Sequence, residues 1–366
     1  MNCKNGFISP LVMGLVSVLF FIATVVAVVV LKTSDKIVGL DYECNYSHNS
    51  SLISSIAAAL GNRAAEFNKG VCLMEKKEYG EAHDAFVSSA EKGLANAQCA
   101  LGDMYGKGLG VAQDLEKAEH WYRMAANQWN GCGLVSLGFM YYEGAVVPKD
   151  RSEAAKLWRR ALDISPIPRD WSEWHTIVEG RLGLMYLEGD GVQQNYDDAL
   201  RYLTRAAGAG DVISQFNLAS MYVNGHGVEK DNSKAFEWYK KAAMQGDAAA
   251  QYALGTAYDQ GIEAELGEGV EQDYNKAVEW YKKAAMQGYT PAQNDMGLAY
   301  ELGKGVEQDL DKAIEWYQKA AAQGFEIAQQ NLEHLQQNLA RFYEAPSTGS
   351  ENDPPDVFTL RDFLAN

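Results

Sequence analysis

The residues that could perform chemistry in this sequence do not form a catalytic or metal-binding motif. No HExxH pair, G-x-S-x-G nucleophile turn or Walker phosphate loop is present. Acidic pairs such as Glu301 with Glu307 are typical of solvated helix faces. The histidines lack the spacing of metal ligands and stand at His48, His83, His120, His175, His226 and His334. The sequence therefore predicts a protein that is not an enzyme, with no cofactor and no metal.

Three closely spaced glycines, Gly106, Gly108 and Gly110, superficially suggest a phosphate-binding loop. Similar glycines recur at equivalent places along the chain, for example at Gly303 and Gly305. A glycine at such a place allows the positive backbone angles with which helices often end. These glycines are therefore interpreted as turns of a repeated structural unit.

The cysteines do not indicate a disulfide framework or a CxxC metal site. Their spacing is wide and irregular, with Cys3 near the amino terminus and the others at Cys44, Cys72, Cys99 and Cys132. We expect the last four to be buried or half-buried free thiols.

The charge balance excludes a general affinity for nucleic acids. The chain has 366 residues, of which 32 are Lys or Arg and 49 are Asp or Glu, giving a formal net charge of −17. The charges are interspersed rather than blocked, which is typical of solvated helix faces.

The segment 8–31 is free of charged residues and is bracketed by Lys4 and Lys32. As a helix it would extend about 36 Å, enough to cross a bilayer with some tilt. A cleaved secretory signal is the alternative, although its apolar region is normally only about 7 to 15 residues long. The sequence predicts a membrane helix, and the opposing positive charges at its two ends leave its orientation open.

A repeated sequence motif accounts for most of the rest of the chain. Each copy begins with Leu-Gly, or a close variant, followed three residues later by Tyr. Six copies start at Leu101, Leu137, Leu182, Leu218, Leu254 and Met296, and they are numbered two to seven because a divergent first repeat at 64–96 precedes them. The basic period is 36 residues, and two copies are lengthened by insertions. A period of this size indicates a stacked array rather than independent domains.

Each copy divides into two helices. In the first, Ala250, Leu254 and Tyr258 lie on one face, and Gly255 beside them would allow a neighbouring backbone to come close. The N-cap of the second helix is expected at Asp231, Asp273 and Asp309 in three of the copies. The apolar face of the second helix pairs large rings with small alanines, as in Ala277, Trp280, Tyr281, Ala284 and Ala285.

The phrase A-x-x-x-L-G-x-x-Y-x-x-G-x-G-V-x-x-D-x-x-K-A-x-x-W-Y-x-K-A-A-x-x-G resembles the Sel1-like repeat, a relative of the tetratricopeptide repeat, over residues 97–327. The resemblance implies an all-α, right-handed superhelical solenoid of stacked antiparallel helix pairs. It also implies a scaffold or adaptor that holds other proteins, as most members of that family do.

The chain is therefore divided into four parts. Residues 1–35 are the membrane anchor, and 36–63 are a linker with the start of the first helix. Residues 64–343 are a solenoid of about seven helix pairs, with a divergent first repeat and a C-terminal cap at 326–343. Residues 344–366 are a flexible tail with a short amphipathic end.

Departures from the repeat are the places where individual function is expected. The segment Ala145-Val146-Val147 replaces Gly-x-Gly-Val in the third copy, a change expected to be tolerated. The insertion 163–175 carries Trp171 and Trp174, which either project as a binding hot spot or fold back to seal a gap. A second insertion lengthens the turn near residues 260–266.

By analogy with tetratricopeptide arrays, the first helices line a groove that a peptide or helix of a partner could occupy. The variable positions on the groove side are Phe139, Tyr142, Leu184, Leu187, Phe216, Val223, Tyr252, Asp259, Asn294 and Glu301. They predict an apolar, aromatic stretch with an acidic end. The alternative is that several of these side chains pack between helices.

The sequence thus predicts a membrane-anchored adaptor for protein partners in a bacterial envelope, secretion, regulatory or host-interaction complex. The anchor is expected in the inner membrane with the solenoid in the periplasm, and the cytoplasmic orientation is the alternative. A second hypothesis is that the same groove recognises an envelope polysaccharide or cell-wall glycan.

Overall fold

The computed structural model describes residues 61–164, 172–261 and 270–344, which contain fifteen α-helices. The helices are α1 (Arg63–Glu75), α2 (Tyr79–Glu91), α3 (Ala95–Lys107), α4 (Leu115–Asn127), α5 (Gly131–Glu143), α6 (Arg151–Leu162), α7 (Ser172–Glu188), α8 (Tyr196–Gly208), α9 (Val212–Asn224), α10 (Asn232–Met244), α11 (Ala248–Gln260), α12 (Tyr274–Met286), α13 (Thr290–Leu302), α14 (Leu310–Ala321) and α15 (Glu326–Glu344). The predicted all-α architecture of helix pairs is confirmed for these residues.

None of the helices within the described ranges is both long and apolar enough to cross a membrane. The predicted membrane helix at 8–31 lies outside those ranges, as do the linker up to residue 60 and the tail after residue 344.

The described residues form two compact units. The first contains the residues up to Val178 together with Gly189–Gln193, and the second contains Glu179–Glu188 and the residues from Gln194 onward. In the first unit, α1 to α6 each pack on the next helix along the chain. In the second unit, α8 to α15 do the same. Each helix pair therefore buries its apolar face against its neighbours, as a stacked array requires.

The predicted N-caps of the second helices are confirmed. Asp231 accepts a hydrogen bond from the backbone N–H of Lys234 at 2.8 Å, and Lys234 Nζ lies 3.0 Å from the same carboxylate. The backbone and side-chain hydrogen bonds from Lys234 lower the pKa of Asp231. Asp273 and Asp309 cap α12 and α14 in the same way. Each cap satisfies a backbone donor that the first turn of a helix leaves unpaired.

The repeat glycine of the first helix has a different role from the predicted one. We expected Gly255 to admit a neighbouring backbone, but the ring of Tyr281 from the paired helix lies against it. A Cβ atom built on Gly297 would lie 2.6 Å from the ring of Tyr317, which is fully buried. The glycine is therefore the space into which the aromatic ring of the second helix packs in these copies, whereas Leu203 lies against Gly183 in the fourth copy.

The fifth copy shows what happens without this space. It has Ala219 where the other copies have glycine, and the corresponding ring, Tyr239, is only half buried. The Tyr239 ring lies 5.4 Å from the ring of Phe216, measured between centroids, and the equivalent Tyr281 and Tyr252 rings of the next copy lie 5.6 Å apart. Phe216 is thus held against the second helix of its own pair.

Gly297→Ala should lower the free energy of unfolding by about 1–3 kcal/mol, because the added methyl group overpacks the core against Tyr317. Gly208 is the matched control within the same unit, since a Cβ atom there has no neighbour within 4 Å. We expect Gly208→Ala to be neutral or stabilising by up to about 1 kcal/mol. Urea unfolding followed by circular dichroism measures both variants, and equal losses would contradict the packing role.

A series of glutamine pairs, each joining a buried glutamine to an exposed one, was not predicted from the sequence. Gln251 donates from Nε2 to the carbonyl of Ala243 at 3.2 Å, and its Oε1 accepts from Gln287 at 2.9 Å. The same arrangement joins three further pairs, Gln98 with Gln128, Gln215 with Gln245, and Gln293 with Gln323. These bonds satisfy buried polar groups where successive pairs meet and so specify how the pairs stack.

Candidate partner-binding site

The first unit contains an open cleft of about 470 Å³ bounded by α3, α4, α5 and the start of α7. Its walls are mainly apolar and aromatic. They include Leu115, Tyr122, Val135, Phe139, Met140 and Trp174. A concave apolar surface with a few polar groups is the usual form of a binding site.

Two of the predicted partner-binding residues meet in this cleft. Trp174, in the first turn of α7, has 49% of its surface exposed. Its ring lies 6.5 Å from that of Phe139 in an edge-to-face arrangement. Because Trp174 contributes its ring to a cleft wall and keeps half of its surface open, it can contact a bound partner without unfolding the site.

The cleft is supported by a tryptophan of the core. Trp158, on α6, is fully buried, and its ring lies 5.0 Å from that of Phe139. Its Nε1–H donates to the backbone carbonyl of Val135 at 3.2 Å. Trp158 therefore packs against Phe139 and supports its position. The sequence did not predict this role for Trp158.

Polar groups occur on the walls of the same cleft. The Tyr122 hydroxyl donates to Asp103 at 2.7 Å, and Lys107 Nζ lies 3.5 Å from the other oxygen of Asp103. Burial and the nearby Asp103 charge raise the pKa of Tyr122, so this hydroxyl stays protonated as a donor. Glu143 adds a second carboxylate.

A departure from the repeat pattern occurs next to the cleft. The turn after the first helix contains two glycines in other copies. At the second of them, for example Gly110 or Gly227, an added Cβ atom would clash with the start of the second helix of the preceding pair. The third copy has Val146 there, which takes the glycine-like φ of 68° with its side chain exposed. Its neighbour Ala145 lines the cleft opposite Leu115.

The prediction that the cysteines are free thiols is wrong for three of them. Cys99 on α3 and Cys132 on α5 form a disulfide with a Cα–Cα distance of 6.1 Å, within the normal range. Cys72 is also disulfide-bonded. The sequence held only a partial signal, because the separation of 33 residues is about one helical turn short of the 36-residue period but does not set the distance between the two sulfurs. Such a separation places the two cysteines on neighbouring first helices.

Four other predicted positions lie on α5, α7 and α9. The Tyr142 ring lies 5.3 Å from that of Trp158, and the guanidinium of Arg151 lies 4.7 Å from the Tyr142 centroid. Leu184 and Leu187 are half buried on α7. Val223 is 39% exposed on α9. Trp171 lies outside the described residues, and a groove running across copies three to six stays a prediction.

The residues predicted to form the acidic end, Asp259, Asn294 and Glu301, lie in the second unit. Tyr252 donates to Asp295 at 3.0 Å, and burial raises the pKa of that carboxyl. Asp259 and Asp295 line a small cavity of about 100 Å³. Asn294 is buried and accepts a hydrogen bond from Asn331 at 2.9 Å. Glu301 accepts from Tyr317 at 2.7 Å.

The stacked helix pairs, the ring-on-glycine packing and the capped turns define an α-helical repeat protein. A profile of the Sel1 repeat matches residues 95–128, 133–163, 180–211, 212–247, 248–289 and 290–325, which together exceed half of the chain. The chain belongs to the Sel1 repeat family. Proteins of this family are generally non-catalytic scaffolds that bind protein partners, and the comparisons indicate no enzyme family.

The chain is similar in structure to c5321, a protective antigen present in uropathogenic Escherichia coli strains. The TM-score is 0.66 at 32% sequence identity, over 82% of this chain and 61% of that one.

Two curated relatives match shorter segments. The ERAD-associated E3 ubiquitin-protein ligase component HRD3B of Arabidopsis thaliana is 30% identical over 25% of this chain and 15% of its own length. The exopolysaccharide production negative regulator of Rhizobium meliloti is 27% identical over 39% of this chain and 55% of its own length. The chain thus covers less than two-thirds of either relative.

Proposed function

We propose that this protein is a membrane-anchored, non-enzymatic adaptor that binds a segment of a protein partner in the Phe139–Trp174 cleft. The observation that carries the proposal is the half-exposed Trp174 ring beside Phe139 in an apolar cleft of about 470 Å³. Aromatic side chains in apolar pockets are typical hot spots of protein interfaces. Membership of the Sel1 repeat family supports a protein rather than a small-molecule ligand.

The location that we propose is a bacterial envelope, with segment 8–31 in the inner membrane and the repeats in the periplasm. The Cys99–Cys132 disulfide supports this side of the membrane, because disulfides persist in oxidising compartments and are rare in the cytosol. The apolar segment 8–31 supports the anchor.

A photo-reactive phenylalanine analogue at position 174 of the full-length protein tests the binding site in intact cells. We expect a discrete protein adduct that is lost when Phe139 is replaced by alanine. Trp129 is the matched control position, because it is also an exposed tryptophan of the first unit, at 57% exposure, and is not among the cleft residues. Equal labelling from positions 174 and 129 would contradict the proposal.

The affinity of the purified partner for variants of this protein then measures how much Trp174 contributes to binding. Trp174→Ala should weaken binding about 30-fold, since a hot-spot aromatic contributes about 2 kcal/mol. Trp129→Ala should leave the affinity unchanged. Retained affinity in Trp174→Ala would place the partner elsewhere on the protein.

A glycan ligand is the second candidate. An exposed aromatic ring such as Trp174 suits stacking on a sugar, and the similarity to a regulator of exopolysaccharide production points to envelope polysaccharide systems. Carbohydrate adducts at position 174, in place of protein adducts, would favour this candidate.

A further inference from the structure

Three potential metal ligands converge on the cleft of the first unit. Cys99 and Asp103 are four residues apart and therefore lie on one face of α3, and Cys132 is the second residue of α5. The two sulfurs and a carboxylate oxygen of Asp103 all lie within 4.8 Å of one another. Cys132 and Asp103 line the cleft, whereas Cys99 is buried behind it.

Reduction would convert the disulfide into two metal-binding groups. A dithiol reductant supplies two electrons and two protons, so that one protein disulfide becomes two thiols and the reductant becomes a disulfide. Two thiolates and a carboxylate are ligands that Zn²⁺ accepts. With Zn–S bonds of about 2.3 Å, two sulfurs on a tetrahedral zinc lie about 3.8 Å apart. The short distances among the three groups are compatible with this geometry once the S–S bond is broken.

The surroundings are also those of a metal site. The Tyr122 hydroxyl donates to Asp103 at 2.7 Å and orients the carboxylate, as groups hydrogen-bonded to metal ligands commonly do. Cys132 lies in the first turn of α5, where it lines the cleft. Lys107 is the cation nearest Asp103 among the residues of the cleft wall, and its side chain is 63% exposed and free to swing away. The cleft provides an entry path and room for a fourth ligand.

We propose that the reduced protein binds one Zn²⁺ through Cys99, Asp103 and Cys132, with the fourth position open to the cleft. We also propose that exchange with a disulfide oxidant, which is itself reduced to two thiols, re-forms the Cys99–Cys132 link and closes this site. Zinc binding releases the two thiol protons. The same residues thus form a zinc site in the reduced chain and a covalent link between α3 and α5 in the oxidised chain. This proposal does not depend on the adaptor function.

The test uses the full-length chain in which Cys3, Cys44 and Cys72 are replaced by serine, so that only one cysteine pair remains. A phosphine reductant reduces that pair, consuming one water per disulfide and becoming the phosphine oxide. Competition with a chromophoric chelator measures zinc stoichiometry and affinity, and Co²⁺ reports thiolate ligation by its charge-transfer absorption.

We expect one Zn²⁺ per reduced chain and none per oxidised chain. Cys132→Ser should abolish binding, Asp103→Asn should weaken it by at least 10-fold, and Tyr122→Phe should weaken it by about 10-fold. Glu116→Gln is the control, because this exposed acid of α4 lies outside both the cluster and the cleft lining and should leave the affinity unchanged. Circular dichroism verifies that each variant is folded. The absence of zinc from the folded, reduced parent would overturn the proposal, as would equal affinities in the parent and Asp103→Asn.

Discussion

Replacing Trp158 by alanine should lower the free energy of unfolding by about 3–5 kcal/mol, the usual loss when a large buried ring is removed from a core. Trp158 has no exposed surface, and its ring packs directly on Gly138. The substitution also leaves the carbonyl of Val135 without its hydrogen-bond donor. Urea unfolding followed by circular dichroism measures the loss.

Trp174→Ala is the matched comparison for this prediction. Trp174 packs edge-to-face on Phe139 but is 49% exposed, so its replacement should change the free energy of unfolding by no more than about 0.5 kcal/mol. Both variants should bind the partner more weakly, Trp158→Ala because Phe139 loses its support and Trp174→Ala because a contact surface is removed. Similar stability losses in the two variants would contradict the division between core and binding surface.

Replacing both Cys99 and Cys132 by serine should lower the free energy of unfolding by about 2–4 kcal/mol. The disulfide closes a loop of 33 residues, and without it the unfolded chain gains conformational freedom. The double variant is needed because a reductant would also open the disulfide at Cys72. Urea unfolding of oxidised wild-type and double-variant protein under identical conditions measures the difference.

The oxidation state in cells provides the control for this result. Protein extracted after thiols have been blocked should carry the Cys99–Cys132 link, seen by mass spectrometry of the joined peptides. Equal stability of the double variant and the oxidised wild type would show that the link does not stabilise the unit. If Cys99 and Cys132 are found blocked and unlinked in protein from cells, the disulfide no longer supports a periplasmic location.

The helix pairs and their caps could be predicted because the signals are local. An N-cap such as Asp231 needs only its own side chain and the backbone N–H three residues later, and both are set by nearby sequence. The repeat period supplied the order of the pairs, since each pair buries its apolar face against the next.

The role of the repeat glycine could be predicted only in part. Its place on the buried face was clear from the sequence, but the contact with Tyr281 depends on how far the second helix approaches the first. Two copies illustrate this dependence. The ring of Tyr317 is fully buried opposite Gly297, whereas the equivalent ring of Tyr239 is half buried in the copy that has Ala219.

The sequence by itself determined the repeat, its two helices, the turn glycines and the capping aspartates, because these follow from periodicity and from interactions within a few residues. The tertiary structure alone decided that Trp158 belongs to the core while Trp174 lines a cleft with Phe139, and that Cys99 joins Cys132. The physical reason is that these outcomes depend on distances between different helix pairs. The spacing of residues along the chain does not determine those distances, which are set only when the helix pairs pack.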